Sequence, residues 1–479
     1  MTVILSLLIA LWFHASANRP PQDTNQLAKG VLIEKVTCRD NPNESYALYL
    51  PSNYDSSRRK WPILYAFDPG ARGKTPVEHY RDAAEKFGWI IVGSNNSRNG
   101  TWQSSIDAWN AITGDTEQRL AIDNARSYAT GFSGGARVAA LIATQCHDCL
   151  AGVIASGAGF PSGVEPASTM HFDIFTTTGV DDFNFPEVRS LDDKLTRAGI
   201  AHATEVFAGR HEWPPSDVAM RAVAWMELRA MKAGARNRDS RLVDELWDAQ
   251  IKQARSLEDA KRFYDAYQIY LQMNGSYQGL HDSSEVDTKL NQLRNIREVR
   301  DATRDEQEQI RRQRELESQL ANLIGARLNA SAAQQNLNDE RPGDEEISAD
   351  MRLHDLLAQL RRQSNATQDS GTRRIARRVL EGEFIGLFEQ GSSLLQIQKH
   401  YGEAARIFGL AGEIHPDRAG AFYYLAWAYA AGGEKKKALE ALKTAIEKGF
   451  LDRAALNDNK AFDSIRTDQE FQKLIGSIK

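Results

Sequence analysis

The segment Gly131-Phe132-Ser133-Gly134-Gly135 places a serine among glycines, after the apolar run Tyr128-Ala129-Thr130 and before Ala136–Ala143, a stretch of good helix formers. Strand, sharp turn and helix in that order force the serine hydroxyl out from the edge of a sheet with a helix N-terminus behind it, the placement of a nucleophile. A serine at its ordinary pKa attacks poorly, so it needs a base, and the base needs a group that orients it. The chain order required is serine, then an acid after a later strand, then a histidine after the last strand. Gly179-Val180-Asp181-Asp182-Phe183 follows the strand-like run 171–178, and Gly209-Arg210-His211-Glu212 follows the run 203–208. His211 is the base that this order selects. His79, His147, His171 and His202 come too early, His14 lies in the leader, and His281, His354, His400 and His415 lie in the helical half. Of the adjacent acids Asp182 is favoured, which leaves Asp181 as a solvated loop acid; Asp192 and Asp193 read as helix-face residues.

Acyl transfer also needs donors aimed at the oxyanion. The Gly134 amide, next to the nucleophile, is one. The second is expected from the loop Asp68-Pro69-Gly70-Ala71-Arg72-Gly73, where Pro69 has no amide hydrogen and the donor is therefore Gly70 or Ala71. Trp102, Phe183 and Trp213 fall on loops at the same edge and are expected to wall a substrate pocket. Cys146-His147-Asp148-Cys149 lacks the second ligand pair of a metal site, so a local disulfide, or pairing of one member with Cys38, is the expectation.

The elements that must position these residues are short β-rich runs at 45–50, 62–67, 89–93, 127–132, 151–156, 171–178 and 203–208, alternating with helical stretches, which predicts an α/β layer with a mostly parallel sheet. The first segment, VILSLLIALWF at 3–13, is too short to span a hydrocarbon core of about 30 Å at about 1.5 Å per residue. With Ala15-Ser16-Ala17 after it, residues 1–17 read as a signal peptide, which predicts a secreted or periplasmic protein with no stable membrane insertion after its removal. The catalytic domain is expected over 18–235, a helical region with a degenerate repeat around Ala266 and Tyr270 over 241–334, an acidic linker over 335–350 and a second helical domain over 351–479. The charged helix 296–317 reads as a solvated face, since its acids and bases are interleaved. Ala404, Phe408 and Ala411 recur as Ala438, Leu442 and Ala445, a period of about 34 residues with Pro416 closing the first unit, and this resembles a tetratricopeptide repeat, which implies a protein partner for the helical half. Across all 479 residues, 59 Lys+Arg against 64 Asp+Glu give a net charge of −5, no basic excess to draw the molecule onto nucleic acid.

Taken together, Tyr46-Ala47-Leu48-Tyr49-Leu50-Pro51, Gly131–Gly135, Gly179–Asp182 and Gly209-Arg210-His211 resemble the α/β-hydrolase family, in particular exported esterases similar to polyhydroxybutyrate depolymerases and feruloyl esterases. The resemblance covers about residues 31–230. It implies hydrolysis of a small-molecule or polymer-linked carboxylic ester through an acyl-enzyme, with no metal and no cofactor. Asp68-Pro69 stands where many such enzymes carry His-Gly, and no long insertion suggests a lipase-type lid. A peptidase or thioesterase would use the same triad, and a repeat-bearing scaffold with a silent hydrolase domain is the other class.

Overall fold

The computed structural model describes residues 27–336 and 344–478, with side chains described outside 330–347. The leader 1–17 lies outside the described residues. Eight strands, β1 (Leu32–Thr37), β2 (Ser45–Tyr49), β3 (Trp61–Phe67), β4 (Ile90–Ser94), β5 (Ile122–Phe132), β6 (Gly152–Ser156), β7 (Asp173–Gly179) and β8 (His202–Phe207), form one sheet in the order β1-β2-β4-β3-β5-β6-β7-β8. β2 runs antiparallel to both its neighbours, and all other pairs are parallel. Parallel strands need helical crossovers, which cover both faces of the sheet, so β3 and β4 are buried throughout. Alternate residues go to opposite faces: Ile63, Tyr65 and Phe67 pack with helices α2 (Trp102–Arg119), α3 (Gly134–Gln145) and α4 (Phe185–Ala198), while Leu64 and Ile91 pack with α1 (Lys74–Phe87) and α5 (Ser216–Lys232). This is the α/β-hydrolase type of sheet expected from the sequence. The strand β1 was absent from that expectation.

Past α5 the described chain is helical. Helices α6 (Ser240–Asp259), α7 (Phe263–Tyr277) and α8 (Ser284–Arg294) share a core that includes Ala266 and Tyr270. A second core joins α9 (Arg297–Asn336), α10 (Asp344–Ser364), α11 (Gly371–Ser393), α12 (Tyr401–Ile414) and α13 (Ala419–Ala431), with a π-helical turn at Leu394–Gln398 between α11 and α12. A third joins α13 to α14 (Lys435–Glu447), α15 (Arg453–Asp458) and α16 (Gln469–Ser477). The repeated positions Ala404, Phe408 and Ala411, and Ala438, Leu442 and Ala445, are all fully buried. Of the segment read as an acidic linker, 335–336 and 344–350 are helical, and 337–343 lie outside the described residues. The segment 296–317 is not wholly a solvated face: Gln313 and Leu316 are buried, and Arg189 pairs with Glu306 at 2.8 Å, because one side of α9 lies along the sheet domain.

Candidate active site

Ser133 stands alone between β5 and α3, at φ 54° and ψ −121°. A non-glycine residue in that region costs about 1–3 kcal/mol and persists only where its surroundings enforce it. Here they do. A Cβ at Gly131 would lie 2.0 Å from the Gly135 carbonyl oxygen, and one at Gly135 would lie 1.9 Å from the Phe67 carbonyl oxygen. The turn is therefore pressed against its own helix and against β3, and only glycine fits on either side. The Ser133 amide donates to the Ser156 carbonyl at 2.8 Å, anchoring the turn to β6.

His211 lies in the loop after β8. Its Nδ1 is 2.8 Å from Asp182 Oδ1, with the carboxylate fully buried and the imidazole side chain only 12% exposed. A carboxylate accepts only, so Nδ1 carries the proton and Nε2 is left as the acceptor, the tautomer a general base requires. Asp182 Oδ1 also accepts from the Asn184 amide at 2.8 Å, which fixes the carboxylate plane. The imidazole is held between two rings, Phe132 at 4.5 Å and Phe183 at 4.0 Å between centroids. Phe132 directly precedes Ser133 and Phe183 directly follows Asp182, so this sandwich gathers all three chain segments. Gly157, at φ 65°, is a further site residue that sequence reasoning missed: a Cβ there would lie 3.1 Å from Asp182 Oδ2 and 3.2 Å from His211 Cε1. The Ser156-Gly157-Ala158-Gly159 run at the end of β6 was the signal.

The adjacent Asp181 is not a solvated acid. Its side chain is 15% exposed and Oδ2 accepts from Arg377 Nη1 of α11 at 3.0 Å.

The expected oxyanion loop departs from its reading as well. Asp68 is fully buried and gathers the loop around itself: Oδ1 accepts from the Gly70 amide at 2.8 Å and from Arg72 Nε at 2.8 Å, and the Asp68 carbonyl accepts from the Ala71 amide at 3.1 Å. Both candidate amides, Gly70 and Ala71, are thus spent inside the loop, because a carboxylate one residue before a proline folds the following amides back onto itself. Gly134 opens α3, where the first-turn amides have no intrahelical acceptor. Asn99 Oδ1 crowds Gly134, at 1.9 Å from the place of a Cβ, and Asn99 Nδ2 donates to Glu389 of α11 at 2.7 Å.

Of the three expected wall residues, Trp213 belongs to the core. It is 6% exposed, packs on Tyr80 and Phe132, and donates its indole N–H to Asp68 Oδ2 at 2.8 Å. Trp102 and Phe183 line a cleft of about 1320 Å³ between the sheet domain and the helical region, together with Phe160, Arg314, Glu317 and Glu383. Burial raises both glutamates above the ordinary carboxylate range, and Glu317 adds to the effect on Glu383. Trp102 is 46% exposed.

Cys146 and Cys149 are joined, and Cys38 is a buried thiol whose pKa burial pushes up to about 12. Among the described residues no group of three or more His, Cys, Asp or Glu could hold a metal ion, and no helix is long and apolar enough to cross a membrane.

No protein-family model matches the chain, and no curated protein does. Solved structures with a similar fold include an S-formylglutathione hydrolase from Staphylococcus aureus, 14% identical over 42% of this chain and 98% of that one, with a TM-score of 0.35. An esterase from Pyrobaculum calidifontis is 12% identical over 42% and 87% of the two chains, TM-score 0.34, and a feruloyl esterase module from Clostridium thermocellum is 16% identical over 40% and 85%, TM-score 0.32.

Proposed function

We propose that the protein is a serine hydrolase that cleaves a carboxylic ester through an acyl-enzyme. The observation that carries this reading is a serine held at φ 54° directly after Phe132, whose ring packs against the imidazole of a buried histidine–carboxylate pair at 2.8 Å. Ser133 Oγ attacks the ester carbonyl carbon while His211 Nε2 takes the hydroxyl proton. The imidazolium is stabilised by Asp182, which keeps its negative charge throughout. The carbonyl oxygen gathers charge in front of the first turn of α3, where the Gly134 amide donates; Gly70 or Ala71 would add a donor only after letting go of Asp68. Collapse of the tetrahedral species expels the alcohol, which receives the proton from His211. Water, activated by the same imidazole, then frees the acid.

The cleft beside Trp102 and Phe183 is the place for the acyl or alcohol portion, and its mixed aromatic and charged lining suits an aryl ester better than a long alkyl chain. Export of the chain is supported by residues 1–17 and agrees with the Cys146–Cys149 bond, since disulfides persist in oxidising spaces. Tetratricopeptide-like packing of α12 to α14 is supported by the buried alanines at repeated positions.

The test is hydrolysis of p-nitrophenyl esters of graded acyl length by the purified protein and by Ser133→Ala. Turnover with a rapid first burst of p-nitrophenol in the parent, and neither in the variant, is expected. Equal turnover in both overturns the reading.

A further inference from the structure

Helix α11 and its neighbour α9 grip the loop that carries the triad acid. Arg378 donates Nε to the Val180 carbonyl at 2.8 Å and Nη2 to the same oxygen. Arg377 pairs with Asp181, Gln313 Nε2 donates to the Phe183 carbonyl at 2.9 Å, and Gly382 comes so close that a Cβ there would lie 3.2 Å from Phe183 Cβ. Residues on both sides of Asp182 are therefore held by a part of the chain remote in sequence.

Arg378 stands out in this set. It is 1% exposed, and its guanidinium lies 3.9 Å over the Phe185 ring at the end of the same loop. Burial holds its pKa below the ordinary arginine range, while Asp181 and, less strongly, Asp182 act against that. A buried cation is expensive to desolvate, and a neutral donor would serve if only the Val180 carbonyl needed a partner. What the cation adds is a fixed positive charge near the carboxylates of Asp181 and Asp182. Other charged groups around Arg378 and this loop are Arg374 and Arg377 on α11 and Glu306, Arg314 and Glu317 on α9.

We propose that Arg378 is a positioning residue for the histidine–carboxylate pair, so that the helical region is a required part of the catalytic centre and not an appended module. This rests on the triad reading above. By clamping Val180, Arg378 keeps Asp182 aimed at His211 Nδ1.

The test uses the full chain with Arg378→Met, which keeps an unbranched stem against Phe185 and removes the charge and both bonds, and Arg466→Gln as a control on a distant surface pair. Misplacement of a catalytic group by about 1 Å can cost about 10²-fold. Arg378→Met is expected to lower kcat by about that factor with KM unchanged, since a displaced carboxylate spoils the reacting geometry and not substrate binding, and to slow fluorophosphonate labelling in parallel. Arg466→Gln is expected to match the parent. Arg378→Gln, which has no charge but can still donate to the Val180 carbonyl, is expected to recover part of the lost kcat, and should Arg378→Met not fold it takes its place with a smaller fall in kcat expected. Parental kcat in a folded variant overturns the proposal, as does a rise in KM with kcat unchanged, or a loss of activity that only follows a fall in Tm. A parent that neither hydrolyses nor labels overturns the triad reading and this proposal with it; an active parent beside an unchanged variant overturns this proposal alone.

Discussion

Replacing Asp182 by Asn is the sharpest perturbation of the site, because one oxygen serves two donors. Oδ1 accepts from His211 Nδ1 and from the Asn184 amide, both at 2.8 Å, while Oδ2 is buried without a hydrogen-bond partner. If the new carboxamide keeps its oxygen at the Oδ1 position, its NH2 group falls where Oδ2 was, a buried donor costing about 1–3 kcal/mol. If it turns over, NH2 faces two other donors, and His211 escapes the clash only by shifting its proton to Nε2, the tautomer that cannot take the serine proton. In both cases the charge that steadies the imidazolium is gone. The corresponding loss in a serine triad is about 10⁴-fold in kcat, or about 5.5 kcal/mol at about 1.36 kcal/mol per decade. Asp181→Asn offers the comparison: it breaks a pair with Arg377 at 3.0 Å but leaves the histidine bond intact, so a change within about tenfold is expected. The assay is kcat/KM on p-nitrophenyl acetate with urea midpoints measured beside it. An Asp182→Asn protein that keeps more than about a tenth of the parental kcat/KM, or an Asp181→Asn protein that keeps less than about a tenth, refutes the assignment of roles.

Two further outcomes follow from the surroundings of the site. Trp213→Phe keeps a ring in the core but removes the donor to buried Asp68, so a loss of about 1.5–3 kcal/mol is expected, read as a lower denaturation midpoint; an unchanged midpoint would show that this bond does not hold the loop. Glu383 has a raised pKa, so the fold favours its protonated form: that contribution is complete at pH values below the unfolded pKa of about 4.3 and is lost as pH rises through the higher folded value. Glu383→Gln is therefore expected to raise Tm at pH 8 with the gain vanishing below about pH 4, and a gain independent of pH would contradict it.

The sheet was legible in the sequence, and so were the positions of the three candidate groups, because each is announced locally: glycines around Ser133, and polar loops after strand-like runs for Asp182 and His211. Side-chain competition and long-range packing were not. Gly70 and Ala71 look like donors until Asp68 is seen to take both amides. Asp181 looks solvated because its partner Arg377 is 196 residues further along the chain. Gln313 sits in a run of interleaved charges, and only the tertiary fold shows that α9 turns it inward to the Phe183 carbonyl. β1 reads Leu-Ile-Glu-Lys-Val-Thr, an edge strand with an exposed middle, whose apolar signal is too short to stand out.

The most direct measurement is intact and peptide mass spectrometry of the protein after incubation with a fluorophosphonate probe, beside Ser133→Ala. One probe per chain, located on the peptide containing Ser133 and absent from the variant, is expected. An adduct on another residue, or an unlabelled parent that circular dichroism shows to be folded, would contradict a nucleophile at the turn between β5 and α3.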